Sequence, residues 1–150
     1  MSNSVLTNKW VKLICGASNE DIASIEDLCA IYSAAGVDYI DVAADPSVVT
    51  AARNGINWSK EVFGKDPGLM ISISDGKDIH FRKAHFDPSK CPPNCSRPCE
   101  NICPTFAINK YGISKNKCYG CGRCIASCPL NLISEYEYQL SNNSLKDILH

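Results

Sequence analysis

The chain has 150 residues, the size of one ordinary domain or two small ones, and a formal net charge of −1. The mixed charges give no reason to expect nucleic acid or an anionic membrane as a partner. No apolar run approaches the roughly eighteen residues of a spanning helix, and the start MSNSVLTNKW lacks the features of a signal peptide. We therefore expect a soluble cytoplasmic protein without membrane insertion.

The first part of the chain predicts alternating strands and helices. Residues 10–16, WVKLICG, form an apolar run typical of a buried strand. Ser18 and Asp21 make a capping-box-like start for a helix that Gly36 is placed to end. The segment VDYIDVAAD then predicts a second buried strand.

A second helix is expected after that strand. Asp45 before Pro46 is typical of an N-cap followed by proline at the first helical position, and Gly55 is expected to end the helix. LMISIS predicts a third strand. Strands separated by helices imply parallel pairing with right-handed crossovers.

Three regions follow from this pattern. Residues 1–78 predict a βαβαβ layer, residues 79–138 a cysteine-rich domain, and residues 139–150 a polar tail that leads into LKDILH, the start of a further segment. Within the second region we expect short helices after each Cys-Pro and a small hairpin around Tyr111 and Gly112. The expected fold class is α+β.

Cysteine content is unusual: eight of the ten cysteines lie between Cys91 and Cys128. Nothing indicates export, and in a reducing compartment clustered cysteines more often bind metal than form disulfides. The other two, Cys15 and Cys29, fall on a strand and a helix pattern and are expected to be core residues.

The second cysteine run has the spacing of bacterial ferredoxins. It is C-x2-C-x2-C-x3-C-P, formed by Cys118, Cys121, Cys124, Cys128 and Pro129. Gly120 and Gly122 allow the loop to bend so that three thiolates can surround one [4Fe–4S] cluster. The fourth cysteine is expected to begin a short helix and to face away from that cluster. In two-cluster ferredoxins that fourth cysteine binds the other cluster.

The first run repeats this pattern with a different spacing. Cys99 and Cys103 precede Cys124 and Cys128 by 25 residues, and the segment CPTFAI precedes CPLNLI by the same offset. Ser96 occupies the position equivalent to Cys121, and Cys95 lies one residue earlier. The run therefore still supplies four thiols.

These runs predict that residues 79–138 form a ferredoxin-type domain, which follows the partial barrel-like layer of residues 1–78 and binds two [4Fe–4S] clusters with exchanged ligands. The first set is Cys91, Cys95, Cys99 and Cys128, and the second is Cys118, Cys121, Cys124 and Cys103. A [3Fe–4S] first cluster and a zinc site remain alternatives, although zinc sites usually pair two separated C-x2-C knuckles.

Other polar residues have simpler interpretations. Asp41 and Asp45 lie where barrel enzymes place catalytic groups, but local hydrogen bonding and helix capping account for them. His80 and His85 flank Arg82 and Lys83, and we expect this segment to be a solvated linker.

The chain resembles the cyanobacterial light-dependent period family. The segments that carry the resemblance are KLICGAS, AGVDYIDVAADP and ISISDGKDIHFRKAHFDPSKCPPNCSRPCENICP, and it covers nearly all of residues 9–133. It implies an iron–sulfur protein that modulates the circadian clock in response to redox state. It also implies a longer (β/α) barrel, of which this chain would be a short form. Three strands cannot close a barrel and the third strand, LMISIS, would leave an unpaired apolar edge, so we expect the chain to need a partner, a C-terminal segment or self-association.

The function expected from motifs and resemblance together is redox sensing or electron transfer through two [4Fe–4S] clusters, with a redox partner and clock proteins as partners. An electron-transfer module of a barrel oxidoreductase and a purely structural cluster protein are the alternatives. No Ser-His-Asp set, phosphate loop or Rossmann fingerprint is visible, so we expect no self-contained catalyst.

Overall fold

The computed structural model describes residues 9–15, 21–73 and 81–138, together with residues 146 and 148. The N-terminal part contains strands β1 to β3 and helices α1 and α2, which alternate along the chain. Their bounds are β1 Lys12–Cys15, α1 Ile22–Ala35, β2 Tyr39–Ala43, α2 Pro46–Phe63 and β3 Gly68–Ser72.

The three strands form one parallel sheet in the order β1-β2-β3. Ile40 of β2 faces Leu13 of β1 on one side and Leu69 of β3 on the other. The predicted parallel pairing is therefore confirmed, and the protein is a mixed α and β structure.

Both helices pack on one face of the sheet. Ile25 and Cys29 of α1 and Val48 and Ala52 of α2 are buried against the strands, and Ile40 is fully buried between them. Cys15 and Cys29 belong to this core, as the sequence predicts. Burial raises the pKa of the Cys29 thiol to about 12, and the neighbouring Cys15 acts in the same direction, so this thiol is unreactive at neutral pH.

The opposite face of the sheet is not covered by the described residues. Ile14 of β1 is 69% exposed and Met70 of β3 is 40% exposed. Between them Asp41 accepts hydrogen bonds from Lys12 Nζ (2.8 Å) and Ser72 Oγ (2.5 Å). Burial alone would raise the pKa of Asp41, but these two partners hold it below its ordinary value.

The starts of the helices follow local chemistry. Asp45 is the N-cap of α2, with Pro46 at the first helical position, as predicted. The N-cap of α1 is Asp21, whose side chain accepts from the Ala23 amide. Ser18 lies outside the described residues.

The prediction that Gly55 ends α2 is wrong, because the helix continues to Phe63 and ends at Gly64 in a left-handed conformation. Gly55 instead lies where α2 crosses α1. A Cβ at this position would lie 2.3 Å from the Glu26 carbonyl oxygen and 2.9 Å from the Ala30 nitrogen. The glycine is therefore explained by the close approach of the two helices.

The cysteine-rich part contains small elements. They are strands β4 Arg82–His85, β5 Ile108–Asn109, β6 Gly112–Ile113 and β7 Ser134–Glu137, helices α3 Pro98–Asn101 and α4 Arg123–Ser127, and a 3-10 turn at Pro88–Lys90. Strand β4 pairs antiparallel with β7, and β5 and β6 form the predicted hairpin around Tyr111 and Gly112.

The predicted short helices after each Cys-Pro are wrong. Helices α3 and α4 precede Cys103 and Cys128, and each Cys-Pro instead begins a turn. Cys128 ends α4 in an extended conformation, with φ −79° and ψ 111°. This is expected, because a following proline disfavours the helical conformation of the residue before it.

Within the described residues, no helix combines the length and the apolar character that crossing a membrane requires.

We predict that Gly55→Ala destabilises the protein although alanine has the higher helix propensity. The added methyl group overlaps the α1 backbone, and overpacking of this kind costs about 1–3 kcal/mol. Chemical unfolding of the iron-loaded protein, followed by far-UV circular dichroism, measures the loss. The exposed Glu61→Ala in the same helix is the control and should change stability by less than about 0.5 kcal/mol. A stabilised Gly55→Ala variant would contradict the observed helix crossing.

Candidate iron–sulfur sites

The eight clustered cysteines line two separate cavities. Cys91, Cys95, Cys99 and Cys128 line the first cavity. Cys103, Cys118, Cys121 and Cys124 line the second. These are the two sets that the ferredoxin spacing predicts. The identity of the iron ligands stays a prediction.

Each run therefore contributes its last cysteine to the cavity of the other run. Cys103 follows α3 but lies with Cys118 and its neighbours, and Cys128 follows α4 but lies with Cys91 and its neighbours. The expectation that the fourth cysteine faces away from its own run agrees with this placement. It ends α4, however, and does not open a helix as predicted.

The sequence repeat is also a repeat of backbone conformation. Phe106 and Asn131, 25 residues apart, both adopt the left-handed region with φ 51°. This is uncommon for a residue other than glycine, above all for a bulky one such as phenylalanine. The turns bring the Ala107 amide to the Cys103 sulfur (3.2 Å) and the Leu132 amide to the Cys128 sulfur (3.4 Å).

The residues before the two helices repeat in the same way. Arg97 precedes α3 with φ 50° and Gly122 precedes α4 with φ 71°, so both N-caps are left-handed. The Arg97 amide donates to the Cys95 sulfur at 3.4 Å. Cys95 is thus held in the loop even though Ser96 occupies the aligned position.

Strand β4 forms a wall of the second cavity that the sequence did not predict. The Ala84 amide donates to the Cys118 sulfur (3.4 Å), and Lys83 Nζ donates to the Cys118 carbonyl oxygen (2.5 Å). Lys83 is only 1% exposed, so the predicted solvated linker is wrong for this residue. His85 is exposed, whereas His80 lies outside the described residues.

The surroundings of three of the thiols shift their pKa values in different directions. Burial raises the pKa of Cys124 to about 11, and the neighbouring Cys118 and Cys121 add to the rise. Burial also raises the pKa of Cys99. At Cys128 burial acts in the same sense, but backbone N–H groups, first that of Leu132, outweigh it and lower the pKa. Iron must therefore displace protons from the Cys124 and Cys99 thiols when it binds.

The donors fit iron–sulfur clusters. Both cavities combine four thiols with apolar residues, Ile108 and Ile133 in the first and Ala107 and Ile113 in the second. Backbone N–H groups point at four of the sulfurs, which is the kind of hydrogen bonding that tunes cluster potentials. Among the described residues, no three His, Cys, Asp or Glu side chains are grouped as for a single metal ion.

The matches to known families agree with this chemistry. Residues 91–139 match the family described as the LdpA Fe-S cluster-binding domain, and residues 1–71 match a family described as a protein of unknown function, DUF561. The protein is therefore an iron–sulfur protein of the ferredoxin-related class.

One relative is light dependent period A of Synechococcus elongatus, which is 48% identical to this chain over 137 residues. The resemblance to the light-dependent period family is thus confirmed. The aligned region is 91% of this chain and 39% of the relative, so the chain spans about two fifths of that protein's length.

More distant relatives share the cluster chemistry. An uncharacterized ferredoxin of Methanocaldococcus jannaschii is 30% identical over 61% of this chain and 55% of its own length. The arsenate respiratory reductase iron-sulfur subunit ArrB of a Shewanella species is 28% identical over 55% of this chain and 33% of its own length. No solved structure matches the chain significantly.

We predict that Gly120→Ala damages the second site and that Gly122→Ala spares it. Both glycines have positive φ, 79° and 71°, so both alanines carry a backbone strain of about 1–2 kcal/mol. Only at Gly120 would the new Cβ meet β4, 2.1 Å from the Arg82 carbonyl oxygen, whereas at Gly122 the nearest atom is 4.0 Å away. Iron content after anaerobic reconstitution distinguishes the variants. Equal iron content in both would contradict the packing of β4 against this loop.

Proposed function

We propose that this chain binds two [4Fe–4S] clusters, the first through Cys91, Cys95, Cys99 and Cys128 and the second through Cys118, Cys121, Cys124 and Cys103. The observation that carries the proposal is the separation of eight thiols into two cavities of four. The ferredoxin spacing of the second run supports four irons in that site.

The proposed activity is redox sensing or electron transfer. A [4Fe–4S] cluster supplies a one-electron centre when bound. The chain's own residues would hold the cluster, and they direct N–H groups at the cysteine sulfurs, which is one of the features that set cluster potentials. An electron-donating or electron-accepting partner is therefore part of the proposal.

The biological setting we propose is an input of cellular redox state to the circadian clock, in the cytoplasm. Its support is the similarity to light dependent period A, whose name refers to a light-dependent period. This chain spans 39% of that relative, so we propose for it no function that the rest of the relative's length performs.

A second candidate is an electron-transfer module of a barrel oxidoreductase. In that case β1 to β3 would be the first strands of a (β/α) barrel, and their uncovered face, with Ile14 and Met70, would meet further strands, a partner or a second copy. Asp45, which follows the carboxyl end of β2, contacts Lys83 beside the second cavity. Open α/β sheets bind ligands at that end of their strands.

The proposed cluster content and ligand exchange are tested together. Anaerobically reconstituted protein should hold about eight irons and eight sulfides. Cys103→Ser should perturb the cluster whose other ligands are Cys118, Cys121 and Cys124. Cys128→Ser should perturb the cluster whose other ligands are Cys91, Cys95 and Cys99. Electron paramagnetic resonance of each reduced variant identifies the cluster that changes.

The matched control is Cys29→Ser, which changes a buried thiol outside both cavities and should leave the iron content unchanged. About four irons in the unmodified protein would remove the first cluster, and tightly bound zinc would refute the proposal. If each serine altered the cluster of its own run, the ligand exchange would be wrong. Redox titration with and without clock proteins then separates a sensor from an electron-delivering module.

A further inference from the structure

Lys83 is a buried charge that joins the two parts of the protein. Its side chain is 1% exposed, and its ammonium group lies 2.5 Å from Asp45 Oδ2 and 2.5 Å from the Cys118 carbonyl oxygen. The Tyr138 ring centroid is 4.8 Å away. A buried ammonium group needs such partners, because an uncompensated charge in the interior is strongly unfavourable.

The two carboxylate oxygens of Asp45 accept hydrogen bonds from different residues. Oδ1 accepts from the Ser47 amide (2.9 Å) and the Ser47 hydroxyl (2.6 Å), which caps α2. Oδ2 accepts from Lys83. The cap of α2 and the anchoring of Lys83 therefore depend on the same carboxylate.

Cys118 is held by adjacent residues of β4 at two points. Lys83 binds its carbonyl oxygen, and the amide of Ala84 donates to its sulfur. A change in the position of the Cys118 sulfur would alter the backbone that Lys83 binds. The contacts form a continuous buried path from the second cavity through Lys83 and Asp45 to the first turn of α2.

The two parts of the protein also meet at the starts of the helices. A cleft is lined by Ile22 and Ser47 from the helix starts and by Thr105 and Lys117 from the cysteine-rich part.

We propose that Lys83 is a positioning residue that couples occupancy of the second cluster site to the first turn of α2. An occupied second site fixes Cys118, which fixes Lys83 and Asp45 and so stabilises the cap. By reciprocity, a variant that weakens the Lys83–Asp45 pair weakens iron retention in the second site. The inference rests on the proposed function in that it takes the second site to hold a cluster.

Amide hydrogen exchange of the full chain, followed by mass spectrometry, tests the coupling. The readout is the segment 46–52, where the Val49 amide donates to the Asp45 carbonyl. Cys124→Ser removes the second cluster and Cys91→Ser removes the first. Loss of the second cluster should speed exchange in this segment about tenfold, within the usual range of coupling between sites, and loss of the first should change it less than twofold.

In Lys83→Met reconstituted until the second site is filled, removal of the second cluster should change exchange of segment 46–52 by less than about twofold, because the path from Cys118 to Asp45 is broken. Asp45→Asn keeps an oxygen for the cap and removes the charge, so it serves if Lys83→Met does not fold. The control is Lys60→Met, which removes an ion pair of 2.7 Å to Asp66 that is more than half exposed. This control should keep the full difference.

Iron analysis separates failure of the inference from failure of the proposed function. Protein without iron–sulfur clusters refutes the proposed function. If the unmodified protein binds both clusters but removal of the second cluster leaves exchange of segment 46–52 unchanged, only the coupling is refuted. Selective loss of second-site iron in Lys83→Met, with the first site retained, supports it.

Discussion

The fourth thiol of each cysteine run lies in the cavity of the other run, and the arrangement of the cysteine-rich part follows from this exchange. After each of Cys103 and Cys128 the chain turns through a left-handed residue, Phe106 or Asn131, and the turn directs a backbone amide at the cysteine sulfur. Neither set of four is complete without both runs. Because metal binding adds to folding stability, filling either site should therefore order both halves of the repeat.

The sheet and helices of the N-terminal part provide a fixed surface for the second site. Lys83 enters this surface beside Asp45, at the carboxyl end of β2, and holds Cys118 from outside the cysteine run. The second site is thereby built from three parts of the chain, namely both runs and β4. A structural change at that site would therefore act next to the start of α2.

Local chemistry made part of this structure predictable. The Asp45-Pro46 cap, the apolar strand runs and the hairpin follow from short-range patterns. The grouping of the cysteines into two sets follows instead from the ferredoxin spacing and the 25-residue repeat. The prediction for Gly55 is wrong because the role of this glycine depends on its contact with α1, which is distant in sequence. The sequence does not predict the burial of Lys83, because a charged segment favours solvent and its partner Asp45 lies 38 residues away.

The central claim is that two clusters share one folded unit through exchanged ligands. Electron paramagnetic resonance of the fully reduced protein tests it most directly, because two paramagnetic clusters held close together couple magnetically. The account predicts an interaction spectrum that becomes a simple single-cluster signal in Cys91→Ser and in Cys124→Ser. A simple signal in the unmodified protein, unchanged by one of these substitutions, would contradict it.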